Sequence, residues 1–201
     1  MPRTATTLAP PLSAQSVDPN RLLRRMSAFQ ACAATNPNEA LTDRLIAFLR
    51  GIGLRVDEET LATSGFLPGV CIRAGGLVVD RSALAWPGDL LHEAGHLAVM
   101  PAALRPEQNG ALHDCELVPH AGEAEAIAWA FAAACAVGLS ARELFHAGGY
   151  HGHGEALAMT FGCGVYHGLH GLMQAGMAYG SAEARSAGVE AYPHMRRWLR
   201  P

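Results

Sequence analysis

Five consecutive residues, His92-Glu93-Ala94-Gly95-His96, spell HExxH inside the stretch 90–99, whose other members are leucine, alanine, glycine and valine. Positions four apart on a helix share a face, so both imidazoles can reach one cation while Glu93 stands beside them. That grouping suits hydrolysis assisted by Zn²⁺: the imidazoles hold the ion and the carboxylate takes a proton from the attacking water. The stretch lacks the charged outer face of a surface helix. It is expected to be buried, and a buried Glu93 calls for a partner or a chemical role.

A catalytic zinc takes three protein ligands and keeps one position open. Downstream of the motif the available donors are His113, Asp114, Glu116, His120, Glu123 and Glu125. A helix expected from about residue 122 is the best source. Its alanine content allows close packing on the HExxH helix, and a carboxylate in its first turn sits at the positive end of the helix dipole. Glu123 and Glu125 lie about 200° apart around a helix, so only one of them can face the metal. Tyr150, His151 and His153 belong to a glycine-rich loop, 148–154, whose backbone can approach a ligand closely; with His120 they are candidate stabilisers of a tetrahedral oxyanion. His167 and His170, three apart and with no third ligand in view, read as ordinary helix histidines.

Other elements must position these groups. Residues 70–73 and 77–80, joined by Ala74-Gly75-Gly76, read as a β-hairpin that delivers the chain to the HExxH helix. Trp86-Pro87-Gly88-Asp89 supplies the helix start, with Asp89 as N-cap. A helical period covers 21–34. A second runs from about 37 to 49, with Pro37 in the first turn and Gly51 as the stop. Residues 100–121, with prolines at 101, 106 and 119, read as a long loop. After the alanine-rich helix, 122–137, Ser140-Ala141-Arg142-Glu143 is a capping box opening a helix to about 146, and a glycine-punctuated helical region follows over 155–177. The expected fold is α+β and mostly helical, with the HExxH helix packed against a short β-hairpin or small sheet. Residues 21–201 are expected to form one domain, preceded by a disordered tail, 1–20, rich in Pro, Thr, Ser and Ala.

Composition narrows the function classes. The 201 residues are 16% charged and 50% hydrophobic, with a net charge of -3, which leaves no basic surface for nucleic acid. No apolar run is long enough for a membrane span, and residues 1–20 lack the apolar centre of a secretory signal. The cysteines, Cys32, Cys71, Cys115, Cys135 and Cys163, are odd in number and never spaced CxxC. They read as reduced core residues of a cytoplasmic protein. Low charge and a high apolar fraction are compatible with a homodimer.

The HExxH helix followed by Glu123-Ala124-Glu125-Ala126-Ile127-Ala128-Trp129-Ala130-Phe131-Ala132 resembles the ImmA/IrrE family of bacterial metallopeptidases, over about residues 70–139. In that family an acidic, alanine-rich helix downstream of HExxH contributes a glutamate ligand, and the family spacing falls best on Glu123, with Glu125 next. The resemblance implies a zincin-like fold, Zn²⁺ held by His92, His96 and Glu123, Glu93 as general base, and a peptide or protein substrate. The family's common Leu-Leu-Met-Pro ending is missing, and no DNA-binding or sensor module stands out, so repressor cleavage is not implied. Val99 and Ala102 occupy the places where the extended HExxHxxGxxH motif needs Gly and His. The rival expectation is a non-catalytic, zinc-stabilised interaction domain, which has no need of a buried general base and usually closes the site with a fourth ligand.

Overall fold

The computed structural model describes residues 37–62, 67–110 and 118–201. The expected tail 1–20, the helix expected over 21–34, Cys32, Cys115, His113, Asp114 and Glu116 lie outside these residues.

Helix α1 (Pro37–Gly51) extends two residues past its expected end and buries Leu45, Ile46 and Leu49 while Asp43 and Arg44 face solvent. Three short strands follow: β1 (Val56–Glu58), β2 (Val70–Arg73) and β3 (Gly76–Val79). Strands β2 and β3 form the anticipated antiparallel hairpin, in register from Val70↔Val79 to Arg73↔Gly76. Strand β1 was not foreseen. It pairs parallel with β3, so the sheet order is β1-β3-β2 and the sheet is mixed. All four residues of β3 are buried, as a central strand covered on both faces requires. In β1 only Val56 is buried, followed by exposed Asp57 and Glu58, so three residues are too few to display a strand period.

The HExxH helix, α2 (Asp89–Val99), is buried at every position. It packs on β2 and β3 and, most extensively, on α3 (Glu123–Val137). Small side chains make the second contact possible. In α3, Ala126, Ala128, Ala130, Ala132 and Ala133 are fully buried, and opposite them a Cβ on Gly95 would lie 2.6 Å from the Ala126 carbonyl oxygen. The variable glycine inside HExxH is therefore where the two helix backbones meet. Helix α3 ends on Gly138 in the left-handed region, φ 71°, the usual glycine stop.

Helix α4 (Ala141–Leu144) carries the expected capping box: the Ser140 Oγ accepts from the Glu143 amide and the Ser140 amide donates to Glu143 Oε2. The continuous helical region expected over 155–177 is instead two helices, α5 (Gly154–Gly162) and α6 (Leu169–Gln174). The break falls where Gly164 and Gly168 take φ values of 80° and 84°, outside helical geometry. Helix α7 (Ser181–Ala187) follows. An aromatic cluster of Phe131, Phe145, Phe161, Tyr166 and Tyr192 packs behind α3, and the Tyr192 hydroxyl donates to the Ala128 carbonyl at 2.8 Å.

The C-terminal segment returns to the end of α2. Arg200 donates through its guanidinium to the carbonyls of Val99, Pro119 and His120, and through its amide to Ala98. Arg105 donates to Leu97, Met100 and Arg200 carbonyls. Two cations thus cover the last carbonyls of the motif helix, where its dipole is negative.

The architecture is α+β and mostly helical, with a small three-stranded mixed sheet. No helix among the described residues is long and apolar enough to cross a membrane. The expectation that the cysteines fill the core is corrected: Cys135 and Cys163 are exposed and Cys71 is half-buried, all three as free thiols. Alanine and aromatic side chains fill the interior around α3 instead.

Candidate metal centre

Three donors from two helices converge. His92 and His96 project from one face of α2, their Nε2 atoms 3.3 Å apart and their rings nearly perpendicular. Glu123, the first residue of α3, places Oε1 3.6 Å from His92 Nε2 and Oε2 3.2 Å from His96 Nε2. Donors 2.0–2.1 Å from a tetrahedral zinc sit about 3.3–3.4 Å from one another, so these spacings fit a single small cation. The donor set, two imidazoles and a carboxylate, is one a divalent metal takes. His92, His96 and Glu123 can hold a metal ion. Both histidines are buried, whereas the Glu123 side chain is 46% exposed, so the group is closed toward the sheet and open toward solvent.

Glu125 does not join them. Its carboxylate turns back to accept from the Gly122 amide at 3.2 Å, closing the first turn of α3, and it packs against Gly171 of α6. The angular separation of the two glutamates assigns one to the metal group and the other to a cap.

Glu93 is 4% exposed. Burial raises its pKa to about 7; the His96 imidazole opposes the shift, and the Asp89 and Glu123 carboxylates add to it. A divalent cation in the neighbouring group would pull that value back down.

The loop 148–154 brings Tyr150 and His151 to the wall of a cavity shared with His92 and Glu123, in a sharper conformation than a loose glycine run. Residues Tyr150–Gly152 form a single 3₁₀ turn in which Tyr150 and His151 both have positive φ, 54° and 52°. Two consecutive non-glycine residues in that region cost on the order of 1–3 kcal/mol each. The turn directs the Tyr150 ring edge-on against His92, centroids 5.3 Å apart. The Tyr150 hydroxyl is buried with no hydrogen-bond partner among the described residues, and burial drives its pKa well above that of an ordinary phenol. That cavity is about 310 Å³, with Asp89, His92, Glu123, Tyr150 and His151 among its walls.

Two groups in this region escaped sequence reasoning. Asp89 is not the N-cap of α2; Gly88 is, and Asp89 is the first helical residue. Its Oδ1 instead accepts from Nε2 of His146, 2.8 Å away and 57 positions on, with both side chains 4% exposed. Trp86 stacks on the His146 ring at 4.5 Å with a 9° interplanar angle. Only the buried setting of His146, just past a helix too short to bury it by periodicity, could have marked it. Other candidates lie elsewhere: His153, His167 and His170 are exposed, and His120 faces His170 with ring centroids 6.4 Å apart.

No protein-family model matches this chain, and no curated protein or solved structure matches it.

Proposed function

We propose that this chain is a zinc-dependent hydrolase of peptide bonds, with His92, His96 and Glu123 as zinc ligands and Glu93 as general base. The observation that carries the reading is the spacing of the three donors, 3.2 to 3.6 Å, beside a buried carboxylate on the same helix. Zn²⁺ held there supplies a Lewis acid that acidifies water and polarises a carbonyl. Glu93 takes the proton from the attacking water and passes it to the leaving amine. Tyr150 keeps its proton because its phenol is buried, and donates it as a hydrogen bond to the carbonyl oxygen as negative charge develops there. His151, on the exposed side of the same turn, contacts the polar backbone of the incoming chain. The substrate is a peptide or protein, and free thiols at Cys71, Cys135 and Cys163 favour a reducing, cytoplasmic setting.

The ImmA/IrrE-type layout has the same order of parts: HExxH helix, then an acidic, alanine-rich helix that supplies a glutamate. A purely structural zinc domain accounts less well for the site, because it needs neither buried Glu93 nor an exposed third ligand. Glu93→Gln tests the reading. The variant is expected to keep its zinc and lose peptide hydrolysis by at least about 100-fold, and Tyr150→Phe to lose about 10²–10³ in kcat with zinc retained. Wild-type turnover in Glu93→Gln would sink the mechanism.

A further inference from the structure

The Asp89–His146 pair has no part in holding the metal group or in moving the proton, yet it stands on the wall of the same cavity. Asp89 is 3% exposed and lines the space shared by His92, Glu123 and Tyr150. One of its oxygens accepts from His146; the other has no hydrogen-bond partner among the described residues. That second oxygen is not among the fully buried atoms left without a partner, so it opens on the cavity, where a donor can reach it.

His146 engages only the first of these oxygens. With Nε2–H donated to Asp89, its Nδ1 is buried and unpartnered among the described residues, under the stacked Trp86 ring. Burial pushes the Asp89 pKa up, and the hydrogen bond and charge of His146 oppose that shift in favour of the ionised carboxylate. The amino end of α2 supports that charge, but none of the described residues lining the cavity is a lysine or arginine.

The oxygen that His146 leaves open is a place for a donor on a ligand. Asp89 lies three positions before His92, on the same helix face, and such neighbours have Cβ atoms about 5–6 Å apart. An ammonium seated on Asp89 would share the cavity with His92 and Glu123 of the metal group. The cavity, about 310 Å³, is at the small end of ligand sites, the size of a short peptide rather than of a polypeptide running through. We propose that Asp89, oriented by His146, recognises the free α-ammonium group of a short peptide, so that the bond presented to the metal group is the first one of the substrate. This inference rests on the hydrolase reading and names its substrate class.

Calorimetric titration of zinc-loaded Glu93→Gln protein with leucyl-glycine and with N-acetyl-leucyl-glycine tests it without turnover. The free amine is expected to bind at least tenfold more tightly, and Asp89→Asn, in the same background and with zinc content unchanged, to erase the preference. Equal affinity for the two peptides, no binding of either, or a preference that survives Asp89→Asn would overturn it. The first comparison needs no change at Asp89, so a folding defect in that variant cannot hide the answer. Hydrolysis of the same pair by the unmodified protein separates the two claims. Equal cleavage of both peptides removes the amine anchor and leaves the hydrolase, whereas amine-dependent binding without any cleavage removes the hydrolase and leaves the anchor.

Discussion

Replacing Gly95 by alanine probes how the metal group is assembled. A Cβ at this position would lie 2.6 Å from the Ala126 carbonyl oxygen, about 0.8 Å short of the 3.4 Å at which ordinary contact begins. The obstacle is backbone, so no side-chain rotation relieves it and α2 and α3 must separate. Alanine also improves helix propensity by about 1 kcal/mol over glycine, while overpacking costs about 1–3 kcal/mol. The net loss of stability is therefore small, about 1 kcal/mol, or a fall in Tm of about 2–4 °C. The metal group is affected more, because His92 and His96 ride on α2 and Glu123 on α3. Coordination distances tolerate about 0.2 Å, well under the 0.8 Å the helices must give. Zinc affinity, read by competition with a chromogenic chelator, should fall at least tenfold, about 1.4 kcal/mol, out of proportion to the change in Tm. Gly51→Ala, with nothing within 4 Å of the added carbon, is the control and should leave affinity unchanged. Wild-type zinc affinity in Gly95→Ala would refute the claim that this contact places Glu123.

Arg200→Ala removes the guanidinium from the carbonyls of Val99, Pro119 and His120 and should cost about 1.5–3 kcal/mol, seen as a drop of about 3–12 °C in thermal melts. Asp80 accepts from the Ser82 hydroxyl and from the Leu61 and Ser82 amides, and these bonds hold its pKa below the usual 3.8, the Ser82 side chain contributing most. A carboxyl with a lowered folded-state pKa stabilises the protein above its unfolded pKa and loses that contribution as pH falls through the folded value. Chemical denaturation midpoints should accordingly drop as pH falls below about 4, and Asp80→Asn should flatten that acid limb while lowering stability at neutral pH.

The parts of the fold written in local periodicity were legible. The uncharged flanks of HExxH announced a buried helix, the β-branched pairs around Gly75 announced the hairpin, and the alanine run announced α3 and its acidic first turn. Spacing alone left Glu123 and Glu125 open, and three-dimensional packing separates them: Gly171 leaves room for the Glu125 carboxylate beside the Gly122 amide, and Glu123 is left on the α2 side. What stayed hidden depends on distant partners. Strand β1 exists because β3 offers it an edge, and three residues carry no pattern of their own. Asp89 looks like a cap by position and is instead claimed by His146, 57 residues later. The cysteines of α3 and of the turn after α5 are exposed because small neighbours, alanine around Cys135 and glycine around Cys163, do not fix which face of a segment is buried.

The central claim is a single metal held by His92, His96 and Glu123. Mass-spectrometric metal content of the purified protein tests it most directly, run beside His92→Ala, Glu123→Ala and Glu125→Ala. The account predicts about one zinc per chain, lost with His92→Ala and Glu123→Ala and kept in Glu125→Ala. Absence of metal even after zinc is offered, or retention of zinc in Glu123→Ala with loss in Glu125→Ala, would contradict it.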